Sequence, residues 1–491
     1  MRFFSIQTID VLVLELLAAF SIGSAVAASI HVVLRRGENK SAIGWLGLFW
    51  LGYPLIGSLI YLLVGVNSIH REKRASGASF LGKRRKRRRP KRPTSAIDYN
   101  MPAPANVQMV TLKKMGDRIL GHRLSRGDDV RLLIGGSEAY PSMLQAINGA
   151  TRSIAMASYI FKDDPAGQQF VDALEKAMKR GVQVRVLIDF MGSSHGGRSV
   201  YRLLTAKGIP AHRFMPSLAL PFVRYANLRN HRKLLIVDGN VGFTGGLNID
   251  VAFWPGLRPN NVIPKDDAHF RLQGPVLSDL LSAFEQDWRF TTGEALDGET
   301  WHVSSNTMGT MHARGMLDGP DSDTRLTHAM ILAALATAKQ SVKIITPYFL
   351  PPPDIISALG VAAIRGVKIE LMVPDPTNSL MVQWASVDYL QQVMEMGVKV
   401  WADGGDFNHS KIMVVDGSWV MFGSSNWDPR SLRLNFEFNT ECHSTELAAQ
   451  VEAYWQSQMA GAKTWKPPEN ERNSLILGLR NGIARLFVPM L

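Results

Sequence analysis

From about residue 130 onward this chain repeats itself once, and that duplication limits its possible folds more than any other feature of the sequence. The first copy contains ATRSIAMASYIF, starting at Ala150, followed by RGVQVRVLID, starting at Arg180. The second contains AKQSVKIITPYFL, starting at Ala338, followed by RGVKIELMVPD, starting at Arg365. Each pair has the pattern strand, helix, strand: short apolar β-rich runs flank helical stretches such as GQQFVDALEKAMKRG, and Gly181 and Gly366 stand at the expected helix ends. Alternating strands and helices predict α/β domains with largely parallel sheets.

Both copies close with one device. The first reads NHRKLLIVDGNVGFTGGLN and the second NHSKIMVVDGSWVMFGSSN, beginning at Asn230 and Asn408. Lys233 and Lys411 follow His231 and His409 by two residues, Asp238 and Asp416 follow by seven, and Asn248 and Asn426 by seventeen. A lone histidine is more often a satisfied structural residue. Two in matched motifs, at one place in a repeated unit, point to a single site assembled from two halves.

The residue types suit phosphodiester chemistry. The apolar run after each Lys has a buried-strand pattern, and His and Lys at i and i+2 on a strand face the same side. A neutral imidazole can act as nucleophile while a second gives a proton to the leaving alkoxide. Lys233, Lys411, Asn248 and Asn426 would stabilise charge on non-bridging oxygens, and the small residues before each Asn let backbone approach a phosphate. Asp238 and Asp416 complete the His-x-Lys-x4-Asp signature and count as candidate catalytic residues on that ground. At i+7 they face away from the His, so a turn-forming role with the following Gly is expected for them. No cluster of carboxylates and histidines offers a metal cage, so neither metal nor cofactor is expected.

The N-terminus has a different character. Residues 43–66 form a 24-residue stretch without a charge, long enough to span a bilayer, with Trp45, Trp50, Tyr53 and Tyr61 suited to headgroup depth. An earlier apolar stretch, residues 11–34, contains Glu15 and His31, and Glu15 is expected to snorkel or protonate one turn below the interface. Ala25-Val26-Ala27 resembles a signal-peptide cleavage site, but the start lacks a basic n-region and a second apolar stretch follows at once, so a transmembrane helical hairpin is expected. Residues 70–93 hold twelve Lys or Arg against Glu72 alone, a net +11 of the chain's +13. The positive-inside bias then places the catalytic chain in the cytoplasm. The run from Lys83 at its start to Arg92 at its end fits an anionic membrane surface better than nucleic acid, because it directly follows a membrane span. The only cysteine, Cys442, excludes an internal disulfide and a Cys/His zinc site.

The paired motifs resemble the signature of the phospholipase D superfamily. With YIFKDDPAGQQF, FTGGLNI, HFRLQGP, FEQDW, ITPYFLPPPDI, SSNWDPRSLRLNFEFN and the two-helix start, nearly the whole chain is similar to the bacterial cardiolipin synthases within it. The resemblance implies two phospholipase D-like α-β-α domains related by pseudo-twofold symmetry, with the site between them, in a multi-pass protein of the bacterial inner membrane. It implies phosphatidyl transfer between two phosphatidylglycerol molecules, giving cardiolipin and glycerol through a phosphatidyl-histidine. By the same resemblance His231 is the nucleophile and His409 the general acid and base. Glu437 matches an acidic residue that orients a motif His, with Asp267 or Asp266 as its first-half counterpart. A hydroxyl contact is available only from Ser424, because Gly246 stands in the first copy.

The expected organisation is two membrane helices in residues 1–69, a basic linker in 70–106, a first domain in 107–300, a connection in 301–325, a second domain in 326–470 and an amphipathic tail in 471–491. That tail would lie in the bilayer interface or dock on its own domain. Tyr348 and Trp427 are candidates for lining a lipid channel, with core packing an equal reading for Trp427. Rival functions are a phospholipase D hydrolase, a phosphatidylserine synthase or other phosphatidyltransferase, a nuclease and a noncatalytic membrane scaffold. The hairpin argues against a soluble nuclease, and two intact motifs argue against a scaffold.

Overall fold

The computed structural model describes residues 6–35, 54–60, 107–194, 200–215, 228–320, 325–375, 377, 379–467, 475–486 and 488. The basic run of residues 83–92, the linker 70–106 and most of the second apolar stretch lie outside the described residues. The chain forms two compact units, an N-terminal one and a much larger body.

In the N-terminal unit, Ile6–Arg35 is one helix of 30 residues that continues through Glu15 and Ala25-Val26-Ala27. Leu16, Leu17, Phe20, Ile22 and Ile30 are exposed along it. The helix Pro54–Ile60 packs beside it, with the Ser24 and Ser58 hydroxyls 3.5 Å apart. Among the described residues no helix is long and apolar enough to cross a membrane. The second apolar stretch is described only over Pro54–Ile60.

The body contains two large sheets built to one plan. In chain order the strands are β1 (Asp129–Ile134), β2 (Ser153–Ser158), β3 (Gln183–Asp189), β4 (Ala211–Phe214), β5 (Leu234–Val237), β6 (Val241–Gly245), β7 (Lys265–Asp266), β8 (Ala268–Gln273), β9 (His312–Asp318), β10 (Ser341–Ile345), β11 (Lys368–Pro374), β12 (Lys399–Asp403), β13 (Phe407–Asn408), β14 (Ile412–Val415), β15 (Trp419–Gly423), β16 (Glu437–His443) and β17 (Lys463–Thr464). The first sheet runs β1-β8-β6-β5-β2-β3-β4, and the second runs β9-β16-β15-β14-β10-β11-β12-β17. Apart from the added β17, the order is the same.

The expectation of largely parallel sheets is corrected. Only β2-β3-β4 and β10-β11-β12 pair in parallel; every other neighbour in the two large sheets is antiparallel. The parallel part is where a helix crosses over between strands. The rest follows from the motif, whose Asp-Gly ends one strand in a tight hairpin, and a hairpin pairs antiparallel.

Local signals explain the crossover helices. Pro165–Lys179 starts with Pro at its first turn and with Asp164 accepting from Gly167 N at 2.9 Å. It ends at Arg180, before Gly181 at φ +89. Pro353–Ile364 likewise starts with Pro and ends before Gly366 at φ +89. Arg180 and Arg365 then donate back to carbonyls of the preceding loop, Ala150 O at 3.2 Å and Ala338 O at 2.6 Å. The first core packs Ile154, Phe170, Val184, Leu235 and Phe243 together; the second packs Ile344, Leu359, Leu371, Met413 and Trp419.

Two domain boundaries shift. The helix Val107–Leu120, expected in the first domain, contributes Met109, Leu112 and Leu120 to the second core. Strand β9, expected in the connection, is the edge of the second sheet. The halves interlock reciprocally: Leu132 N donates to Gln450 Oε1 at 3.1 Å, and Gly315 N to Asp279 Oδ2 at 2.9 Å. Phe270 of β8 and Phe422 of β15 stack at 3.7 Å between ring centroids.

The tail helix Leu475–Leu486 docks on the helix Leu380–Glu395. Ala484 and Val488 join Leu350, Val382 and Ala385 in one cluster, Arg485 pairs with Asp388, and Arg480 lies 4.7 Å over the Trp384 ring. Ile476, Leu479 and Ile483 remain exposed.

Candidate active site

His231, Lys233, His409 and Lys411 do not sit on the motif strands, as their alternation suggests. They lie just before β5 and β14, whose first residues are Leu234 and Ile412. Each His–Lys pair is instead held by the other half of the body. Asn230 bridges to Phe436, and His231 N donates to Phe436 O at 2.9 Å. In the reciprocal arrangement β13 pairs with β7, and His409 N donates to Asp266 O at 2.8 Å. Each lysine folds back on its own motif: Lys233 Nζ donates to His231 O at 2.7 Å, and Lys411 Nζ donates to His409 O.

The residue after Phe436 and the residue after Asp266 are both acids, Glu437 and Asp267, and each holds a histidine ring. His231 Nδ1 lies 3.1 Å from both Glu437 oxygens and 3.1 Å from Ser424 O. His409 Nδ1 lies 2.9 Å from Asp267 Oδ2. Each histidine is therefore oriented by an acid from the opposite half. Asp267, not Asp266, is the counterpart of Glu437; Asp266 accepts from Tyr454 at 3.3 Å. With Nδ1 tied down, Nε2 of each ring is the atom left for chemistry.

The two pairs differ in charge. Burial raises the Glu437 carboxyl, but His231, its hydrogen bond and Lys233 outweigh this and hold it below the usual carboxylate range. Asp267 is pushed up to about 8 by burial, with Lys411 only partly opposing. Burial lowers both imidazoles; Glu437 counteracts this at His231, while the positive charges of Lys411 and Lys233 push His409 down further. The acid beside His231 is thus held toward its ionised form and the acid beside His409 toward its protonated form. Burial also lowers Lys233 to about 7 and Lys411 to about 8, so a bound phosphate would draw full charge onto both.

Asp238 and Asp416 lie away from this chemistry. Both take left-handed backbone, φ +53 and +49. The Asp238 carboxylate accepts from the amides of Thr151, Arg152 and Ser153 at 2.7–2.9 Å, and Asp416 from Lys339, Gln340 and Ser341 at 2.7–2.9 Å. They staple the start of β2 and β10 to the motif hairpin. Ser424 Oγ donates to Glu437 Oε2 at 2.5 Å, so its hydroxyl supports the acid and does not face the cavity. Gly246 is its equivalent, and a Cβ there would come within 2.2 Å of Asp267 Oδ1. The shorter acid fills the space that the serine hydroxyl takes in the other half.

Asn248 Oδ1 accepts from Ile160 N at 3.1 Å, which leaves its amide nitrogen for the cavity. Asn426 bonds Asp428, and its Oδ1 is buried without a partner among the described residues. Both line a cavity of about 410 Å³ together with His231, His409, Tyr159, Tyr348, Arg229, Lys265, Phe253, Phe407, Asp428 and Arg430. Tyr159 meets the His231 ring edge-on at 4.9 Å and Tyr348 the His409 ring at 6.5 Å. Trp427 is core, 6.1 Å from Phe349. Sequence reasoning missed Tyr159, Arg229, Lys265 and Arg430. The only signal for Tyr159 was its place in the SYIF segment, which corresponds to the segment holding Tyr348.

Residues 143–288 and 331–459 match the family model described as cardiolipin synthase, PLD-like domain. The chain belongs to this family. Its relatives include the cardiolipin synthase of Alkalihalophilus pseudofirmus, 31% identical over 87% of this chain and 84% of that one. The cardiolipin synthase of Geobacillus kaustophilus is 29% identical over 97% of this chain and 95% of its own. The crystal structure of a phosphatidylserine synthase from Haemophilus influenzae shares the fold, with a TM-score of 0.60 at 15% identity, covering 77% of this chain and all of that one. Family membership thus rests on the two motif-bearing segments whose histidines share this cavity.

Proposed function

We propose that the chain is a cardiolipin synthase that transfers a phosphatidyl group from one phosphatidylglycerol to another. The observation that carries the mechanism is the crossed pairing of two histidines, each with an acid from the opposite half, in one cavity. His231, with Nδ1–H directed at the Glu437 carboxylate, presents a lone pair on Nε2 and attacks the donor phosphorus. The bond from phosphorus to the headgroup glycerol oxygen breaks. His409 gives its Nε2 proton to that oxygen, Asp267 re-protonates the ring at Nδ1, and glycerol departs. The terminal hydroxyl of a second phosphatidylglycerol then attacks, returning its proton through His409. The phosphorus–nitrogen bond breaks, and cardiolipin leaves with His231 restored. Lys233, Lys411, Asn248 and Asn426 hold the non-bridging oxygens throughout. Asp238 and Asp416 act by fixing the hairpins.

The substrates place the protein at a membrane. The N-terminal unit is the anchor: a helical hairpin of the bacterial inner membrane, supported by a 30-residue helix with an exposed apolar flank. The basic run of residues 83–92 lies on anionic headgroups, with the catalytic body on the cytoplasmic side.

The test is purified full-length protein in detergent with labelled phosphatidylglycerol and no added metal. Cardiolipin and glycerol in equal amounts are expected. Phosphatidic acid as the sole phospholipid product would identify water as the acceptor and overturn the assignment.

A further inference from the structure

The two motif copies are separated by a constant 178 positions from Asn230/Asn408 through Asn248/Asn426, and the same interval compares the cavity walls beside each histidine. Asp250 and Asp428 support the comparison outside the motif itself. Each caps the short helical turn after its motif Asn, Asp250 accepting from Ala252 N and Asp428 from Ser431 N.

At the equivalent positions the walls differ. Arg229 corresponds to Phe407, Arg430 to Ala252, and Ser431 to Phe253. Beside His409 the cavity is largely aromatic: Phe407 lies 5.9 Å from the His409 ring and 6.4 Å from Tyr348, and Lys265 Nζ sits 5.5 Å over Phe253. Beside His231 the same places hold two guanidinium groups. Arg229 is buried, 9% exposed, and is close enough to Arg430, Asp189 and Tyr159 for each to act on its charge. Asp189 acts on the charge of Arg229, and Arg430 acts on that of Asp428. Both guanidinium groups line the cavity beside His231, and two planar donors on one wall suit bidentate recognition of a phosphate.

The proposed reaction brings two anions to one cavity: the phosphodiester being cleaved, which the motif lysines hold, and the phosphodiester that the acceptor lipid carries unchanged into the product. We propose that Arg229 and Arg430 form the subsite for the acceptor's own phosphodiester, leaving the aromatic wall beside His409 to uncharged parts of the substrates. The inference rests on the synthase reading and deepens it. It explains how the phosphatidyl-enzyme selects a second lipid over neutral hydroxyl compounds, since the anionic acceptor gains contacts that glycerol and water do not.

The experiment uses full-length enzyme in phosphatidylglycerol vesicles with labelled glycerol. Cardiolipin formation and glycerol exchange into phosphatidylglycerol pass through the same phosphatidyl-enzyme but use an anionic and a neutral acceptor. Arg430→Gln and Arg229→Gln are expected to lower the ratio of cardiolipin formed to glycerol exchanged by about tenfold or more, and Arg430→Lys to restore part of it. Because a buried arginine can also matter for folding, wild-type enzyme is tested with water-soluble acceptors. Deacylated phosphatidylglycerol should outcompete free glycerol about tenfold or more in kcat/KM. The inference fails if the variants reduce both reactions in proportion, or if wild type shows no preference for the anionic acceptor. Failure of the synthase reading looks different: wild type then produces neither cardiolipin nor exchanged glycerol.

Discussion

The two halves of the active site share a backbone plan and differ in their charges. Each half supplies a His–Lys pair, an acid for the other half's histidine and an Asp staple. Yet one histidine leans on Glu437, held below the usual carboxylate range and supported by Ser424, while the other leans on Asp267, pushed well above that range and packed against Gly246. Duplication thus explains the shared cavity, and divergence after it explains the two chemical roles. A nucleophile gains from an anion behind it; a proton donor gains from an acid that can refill it.

The strongest way to break the comparison is to remove each histidine. His231→Ala and His409→Ala should each lower turnover by about 10⁴-fold or more, because residues acting as a unit fail together. Substantial activity in either, measured as cardiolipin formed, would show that the halves work independently.

The residues between His and Lys extend the comparison to stability. Arg232 is fully buried; it pairs with Asp287 at 2.7 Å and donates to Glu437 O at 3.0 Å and Asp318 O at 2.9 Å. Among the described residues, the side chain of its counterpart Ser410 bonds the Tyr454 hydroxyl at 3.1 Å. Arg232→Ala should destabilise by about 3–5 kcal/mol, because it removes the buried cation that faces the Asp287 carboxylate. Ser410→Ala should cost about 1 kcal/mol. Denaturant titration of the two variants checks this.

The acids should separate in rate. Glu437→Gln removes the charge behind the nucleophile and should lower kcat by about 10²–10³-fold. Asp267→Asn keeps a neutral partner for His409 but removes the proton that refills the ring, and should lower kcat by about 10²-fold. An unchanged rate in Asp267→Asn would contradict the refilling role. The smallest effect is in pH. Lys233 is cationic below about 7 and Lys411 below about 8, and Asp267 keeps its proton below about 8. Rising pH removes all three protons, so kcat/KM should decline through this range, and Asp267→Asn should make the decline shallower.

The sequence made the repeated half-sheets legible through the repeated Arg-Gly helix ends, and the paired cavity residues through the matched spacing. It did not reveal that the acids cross over. Glu437 is 206 residues from His231 and Asp267 is 142 from His409, and no local pattern encodes such pairings. The antiparallel strands were signalled by Asp-Gly but obscured by the helical crossovers around them. The helix Val107–Leu120 reads as part of the first domain because it precedes that domain in the chain, yet its apolar face is complementary to the second core. Arg229 and Arg430 escaped notice because each stands outside the motif; only folding brings them to one wall.

Brief incubation with phosphatidylglycerol labelled in its phosphate, a rapid quench that preserves phosphorus–nitrogen bonds, and peptide mapping would test the division of roles directly. Label on the peptide containing His231, and absent from the one containing His409, is the predicted result. Label on His409, or turnover with no covalent adduct under single-turnover conditions, would contradict it.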